Sequence, residues 1–242
     1  MPTTIDIAFA ALFAVVLAAL EAGYFDRKFK EQVAAGVPDA RPTWYRRAVI
    51  GQWVLAAIAV ALWSRAGRPW HWLGLVPPTG WRLVVTIVIS LAVVALAVQQ
   101  IRAIHRLNAE KRAGLENRLS ELEFLLPHTR RERRWFRILS VTAGVCEEVL
   151  YRGFLTWVLA AYLALPIAIA ITSVAFGLAH AYQGGRGILK TGAVGLAMSL
   201  VVLATGWLIP AMIVHALLDI LAGELGFVLL ESKRSPGVAA AA

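Results

Sequence analysis

Six ionisable side chains in the second half of the sequence stand inside stretches that are otherwise apolar: Glu147, Glu148, Arg152, His180, His215 and Asp219. Two pairs of them are spaced four apart, Glu148 with Arg152 and His215 with Asp219. On a helix, residues four apart share a face, and successive residues diverge by about 100°. Glu148 and Arg152 can therefore pair internally, which leaves Glu147 without that partner and free to act as a general base. Asp219 can accept from one imidazole nitrogen of His215 and fix the tautomer of the ring. His180 closes its apolar stretch with Phe176 one turn earlier on the same face. One glutamate, two histidines and one aspartate meeting between helices make a hydrolytic set. Each feature alone has a plainer reading: a polar helix interface for the glutamates, a helix-end charge for His180, a packing hydrogen bond for His215 and Asp219. All six together, in a chain that keeps the rest of its interior apolar, point to a site, because ionisable groups at membrane depth are costly.

The elements that position these groups must be membrane helices. Hydrophobic residues make up 59% of the 242 positions and charged residues only 16%. Mean hydropathy is +0.67, so polar side chains could not cover a water-exposed surface and an ordinary soluble protein is excluded. Lys and Arg number 24 against 15 Asp and Glu, a net charge of +9. The basic residues lie between apolar blocks, which assigns them to topology and to anionic headgroups on the cytoplasmic side rather than to nucleic acid. Cys146 is the only cysteine, so neither an intrachain disulfide nor a thiolate zinc cluster can form.

Seven apolar blocks can each cross a bilayer: Ile7–Gly23, Ala48–Trp63, Leu83–Val98, Ile138–Ala160, Leu163–Ala181, Ile188–Ala204 and Leu208–Leu230. An eighth re-entrant or interfacial piece is compatible with them, so the fold expected is an all-α, polytopic transmembrane bundle of seven to eight spans. Basic residues concentrate in every second loop, first from Arg27 to Arg47 and then from Arg102 to Arg137. That alternation puts the N-terminus outside and the C-terminus in the cytoplasm of a cell (inner) membrane. Met1 to Asp6 carries no Lys or Arg, so the first block reads as a retained span rather than a cleaved signal. Leu115, Leu119, Leu122 and Leu126 recur at helical spacing among charges, which makes Leu107–Leu126 an amphipathic helix. It lies on the cytoplasmic leaflet or packs on the cytoplasmic loops. The chain reads as one integral membrane domain over 1–242. N-terminal spans and the basic segment occupy 1–137, the site-bearing helices 138–230, and a disordered Ala-rich tail 231–242. Gly184, Gly185 and Gly187 read as a loop after His180, and no Gly-Lys-Ser/Thr follows to make it a phosphate site.

Glu147-Glu148-x-x-x-Arg152, Phe176-x-x-x-His180 and His215-x-x-x-Asp219, in that order on successive apolar helices, closely resemble the CPBP family of intramembrane proteases. That family holds type II CAAX prenyl endopeptidases and bacterial bacteriocin-processing or immunity (Abi-like) proteins. The resemblance covers about Ser140 to Gly223. It implies a helical core of about eight spans and cleavage of peptide bonds near the cytoplasmic leaflet. By resemblance, Glu147 activates water with help from His180. His215, held by residue 219, stabilises the oxyanion, and Glu148 with Arg152 is a structural ion pair. Position 219 is Asn in the prenyl-protease branch, an amide able to donate to an oxyanion, whereas an ionised Asp219 is not. Glu147, His180 and His215 also suit zinc, although no His-Glu-x-x-His helix is present and a metal-free glutamate mechanism fits equally well.

The function expected is an intramembrane endopeptidase acting on a membrane-associated protein or peptide. The rival readings are a proton-coupled transporter, for which internal repeats are lacking, and a non-catalytic immunity or scaffold protein.

Overall fold

The structure is a computed structural model that describes residues 1–108, 111–112, 115 and 122–234. Among these residues there are seven long helices and no strand. They are α1 (Thr4–Ala34), α2 (Ala40–Arg65), α3 (Trp81–His105), α4 (130–160), α5 (Leu165–Ala179), α6 (Gly184–Thr205) and α7 (Leu208–Arg234). They follow the seven apolar blocks in order, and the chain is an integral membrane protein built as a helix bundle.

Five helices are long and apolar enough to cross a bilayer: α1, α2, α3, α6 with the turn before it, and α7. The remaining two depart for different reasons. α4 opens on Arg130, Arg131, Arg133, Arg134 and Arg137 and carries Glu147, Glu148 and Arg152 further along. α5 has 15 residues, a length of about 22 Å against about 30 Å of hydrocarbon.

Helix ends run past the apolar blocks wherever polar residues keep good helix propensity. α7 continues to Arg234, so residues 231–234 are helical and not part of a tail; 235–242 lie outside the described residues. Half of the expected amphipathic helix, at 109–110, 113–114 and 116–121, also lies outside them. Of the four leucines that mark it, Leu115, Leu122 and Leu126 are described, and Leu122 and Leu126 pack in the cluster of Phe29, Tyr45 and Phe136. The glycine run after His180 is no loop: Gly184, Gly185 and Gly187 form the first turn of α6, after a single 3-10 turn at Ala181–Gln183. The tight α5–α6 hairpin depends on Gly177, where a Cβ would stand 2.6 Å from the Ile188 carbonyl.

Two aromatic clusters close the bundle at its ends. At the N-terminal end, Phe9, Phe13, Trp63, Leu73, Tyr151, Phe154 and Phe176 pack together. Asp6 and Arg68 are paired beside them, with the guanidinium 4.4 Å from the Trp157 ring centre. The short 3-10 helix Trp70–Leu73 tucks in below, and Leu208 N–H donates to the Gly74 carbonyl at 2.8 Å. At the other end, Phe29, Tyr45, Leu126, Phe136 and Leu230 form the second cluster. Between the two, α4 lies at the centre, against α2 on one side and α7 on the other. Burial of this much aromatic surface, at about 25 cal/mol per Å² of apolar area, holds the layers in register.

Candidate active site

α4 changes from α-helical to π-helical at Glu148, and the π-helix runs to Leu155. Single π turns widen a helix and recur at functional sites. Glu147 ends the α-helical part and Glu148 opens the wide turn, and the two carboxylates reach opposite sides of the His215 ring, Glu148 at Nδ1 and Glu147 at Nε2. α7 comes close to α4 because position 144 is glycine: a Cβ there would stand 2.8 Å from both the Ala216 Cβ and the Met212 carbonyl oxygen. This crossing sets His215 beside the glutamates.

Glu148 is fully buried and holds two partners through Oε1. His215 Nδ1 donates to it at 2.8 Å, and Arg152 Nη1 lies 3.0 Å away. A carboxylate at Nδ1 places the ring proton there and directs Nε2 of His215 outward. His180 is oriented in the same way by a different acceptor, the Phe176 carbonyl, to which Nδ1 donates at 2.8 Å. The Phe176 ring touches both imidazoles, at centroid distances of 4.7 Å to His180 and 5.7 Å to His215. Arg152 stacks over the same ring at 4.1 Å.

Glu147 is the point on which the two Nε2 atoms converge. Its Oε2 lies 3.9 Å from His180 Nε2 and 3.8 Å from His215 Nε2, and makes no hydrogen bond among the described residues. Its other oxygen is held by Gln52 Nε2 of α2 at 2.8 Å. One oxygen is thus fixed and the other stands in a gap that one water can bridge with ordinary hydrogen bonds of about 2.8 Å. Exposure rises across the group, from Glu148 at 0% to His215 at 8%, Glu147 at 14%, His180 at 16% and Asp219 at 42%. The group is therefore open on the Asp219 side.

All six residues read from the sequence come together. Asp219 Oδ2 stands 3.8 Å from His215 Nε2, on the face its spacing suggested but without a hydrogen bond to the ring, and the acceptor bonded to Nδ1 of His215 is Glu148 on another helix. Gln52 leaves no such signal in the sequence, because its amide carries no charge to stand out in an apolar block. Glu224, inside the last apolar block, has no charged partner at helical spacing to mark it in the sequence. It is buried to 1% and receives Arg133 Nε at 3.0 Å, Arg137 at 2.7 Å and His105 at 3.0 Å. That cluster ties α3, α4 and α7 together.

Glu147, His180 and His215 were also the candidate zinc ligands. Their separations of 3.8 and 3.9 Å exceed the roughly 3.3 Å edge of a tetrahedral site with bonds of about 2.0–2.1 Å. Among the described residues no group of three or more His, Cys, Asp and Glu is arranged to hold a metal. In this arrangement the three side chains do not fit zinc.

Residues 132–221 match the family model described as type II CAAX prenyl endopeptidase Rce1-like. No curated protein and no solved structure matches the chain. The matched segment contains the whole site except Gln52, and it agrees with the CPBP resemblance of the three motifs.

Proposed function

We propose, on the premise that residues 132–221 are an Rce1-like protease domain, that the chain is an intramembrane endopeptidase whose general base is Glu147. The observation that carries this reading is the unbonded Glu147 Oε2 facing two outward-directed imidazole nitrogens. A water in that gap donates one proton to Glu147 Oε2 and the other toward His180 Nε2, whose lone pair is free because its proton sits on Nδ1. The water oxygen attacks the scissile carbonyl carbon as Glu147 takes its proton. The carbonyl oxygen becomes an oxyanion that accepts from Nε2–H of a doubly protonated His215, backed by the Glu148 carboxylate. The proton on Glu147 then passes to the amide nitrogen and the C–N bond breaks, while the remaining hydroxyl proton passes through His180 Nε2 to the departing amine, so that a carboxylate and an ammonium leave.

Glu148 and Arg152 keep His215 in place, and Gln52 positions Glu147. Asp219 borders the oxyanion side at the rim of the site. The reaction in this form runs through Glu147 and needs no metal; inhibition by a chelator, reversed by zinc, would overturn that part. The rim at Asp219 lies toward the end of the bundle where Arg130 to Arg137 gather, which we read as the cytoplasmic side, among anionic headgroups. The substrate class is a membrane-associated protein or peptide, cut close to that leaflet.

The test is cleavage by purified protein in liposomes carrying total membrane proteins, with new peptide termini read by mass spectrometry. Wild type is expected to generate a defined set of termini that E147Q and H180A both lose while retaining helicity and melting temperature. Equal product from E147Q would sink the assignment.

A further inference from the structure

α3 ends in a recess of about 550 Å³ on its exposed side, within the range of roughly 300–1,000 Å³ typical of ligand sites. Gln99, Arg102, Arg106, Asn108 and Lys111 supply its polar lining, and no acidic residue stands among them. α7 is the helix on which α3 packs. His105, on the same turn as Arg102 and Arg106, is turned onto Glu224 of α7 at 3.0 Å. The recess lies beside that clamp and opens to the outside of the bundle.

Other arginines at this end of the bundle have acceptors. Arg133 and Arg137 are held by Glu224, Arg131 by Asp39, Arg41 by the Phe124 carbonyl and Arg112 by the Leu107 carbonyl. The cations of the recess do not. Among the described residues the side chains of Arg102, Arg106 and Lys111 make neither a hydrogen bond nor an ion pair, and all three are exposed. A helix C-terminus favours cations through its dipole, but the Ala103 and Ile104 carbonyls there already accept from the backbone N–H groups of Arg106 and Leu107. Two guanidinium forks one turn apart are thus left with their donors outward, in the geometry that suits phosphate oxygens.

The apolar surface leading to the recess is as specific. Val84, Val88, Leu91 and Val98 lie within about 40° of Arg102 around the helix, at about 100° per residue, and are 40–62% exposed. They form a lipid-facing stripe that runs into the cationic pocket. Leu91 and Arg102 are about 16 Å apart along the axis, close to half of the roughly 30 Å hydrocarbon thickness. The stripe therefore offers one leaflet's depth of apolar wall, and the arginines stand at the level of that leaflet's phosphates. Diffuse attraction to a charged membrane needs only basic residues; a recess joined to a tail groove of this length fits a single lipid molecule.

We propose that the recess binds one anionic phospholipid of the adjoining leaflet, with its phosphate between Arg102 and Arg106 and an acyl chain along Val98 and Leu91. The proposal concerns binding and does not rest on the protease reading.

The test is native mass spectrometry of the full chain in detergent micelles titrated with dioleoylphosphatidylglycerol. The chain is expected to retain one molecule of it, and to retain dioleoylphosphatidylcholine, whose head has no net charge, roughly tenfold more weakly. Replacing both arginines, R102Q with R106Q, should weaken binding roughly 30-fold, about fivefold for each cation, at an unchanged melting temperature. R130Q with R134Q removes the same charge from exposed positions at the same end and should change binding by about twofold at most, because neither residue lines the recess. Glycerol 3-phosphate, the head without its chains, should not displace the lipid. Equal retention of the choline lipid overturns the proposal, as does unchanged binding in R102Q/R106Q. An equal loss in both double variants also overturns it, since the attraction is then diffuse. Displacement by glycerol 3-phosphate overturns it in favour of a free phosphate site.

Discussion

Two carboxylates, Glu147 and Glu224, lie on helices that pack against each other, and their surroundings differ in kind. Glu224 receives two arginines and a histidine on both its oxygens. Every acceptor site it has is used, and the result is a clamp across three helices. Glu147 has one oxygen held by an uncharged amide and the other left facing two imidazoles at 3.8 and 3.9 Å. A carboxylate saturated with cations has little basicity to offer, whereas one fixed at a single oxygen keeps the second for a proton. Residue type is shared; the partners differ, and on the proposed reading they separate a structural group from a reactive one.

The sharpest way to break this contrast is E147Q, which keeps the amide-compatible shape and removes the base. Cleavage should fall about 10²–10⁴-fold, the usual worth of general base catalysis, with the melting temperature unchanged in a thermal-shift assay. E224A should do the reverse. Leaving Arg133 and Arg137 without their acceptor costs roughly 1–3 kcal/mol of stability, held down by the water that already reaches Arg137, while cleavage per folded molecule stays at wild type. A cleavage loss in E224A matching that of E147Q would erase the distinction. Q52A removes the hold on Glu147 Oε1 and should lower kcat roughly tenfold with little change in KM, the effect of one lost positioning hydrogen bond. Q52E, which sets a second carboxylate there, should lose more than Q52A. The smallest effect is expected for D219N, within about threefold of wild type, since Asp219 makes no hydrogen bond to His215 and one weak contact is worth well under 1 kcal/mol. A D219N loss as large as that of Q52A would return Asp219 to the role its spacing first suggested.

What could be seen in the sequence follows from what periodicity measures. Apolar runs report burial in lipid, so all seven helices were visible, and i, i+4 spacing reports pairs on one helix, so Glu148 with Arg152 was visible too. His215 with Glu148 was not, because that pair is made by the crossing of α4 and α7 at Gly144 and Ala216 and by the wide turn that opens at Glu148. The same spacing rule offered Asp219 as the partner of His215, and the cross-helix carboxylate took its place. Glu224 has no partner on its own helix, and its cations come from α3 and α4. Gln52 lies outside the matched segment, and as a neutral side chain in an apolar run it leaves only a faint trace.

The brevity of α5 reaches beyond the protein into its solvent. Ile167, Ile171, Val174 and Leu178 on this helix face outward, so neighbouring acyl chains meet a greasy wall some ångströms lower than the leaflets they belong to. They must compress or lean there, at a fraction of a kcal/mol for each Å of mismatch. Such thinning would draw the aqueous boundary down toward His180, and in the proposed reaction a tethered polypeptide sliding in beside α5 would meet the site already close to the surface.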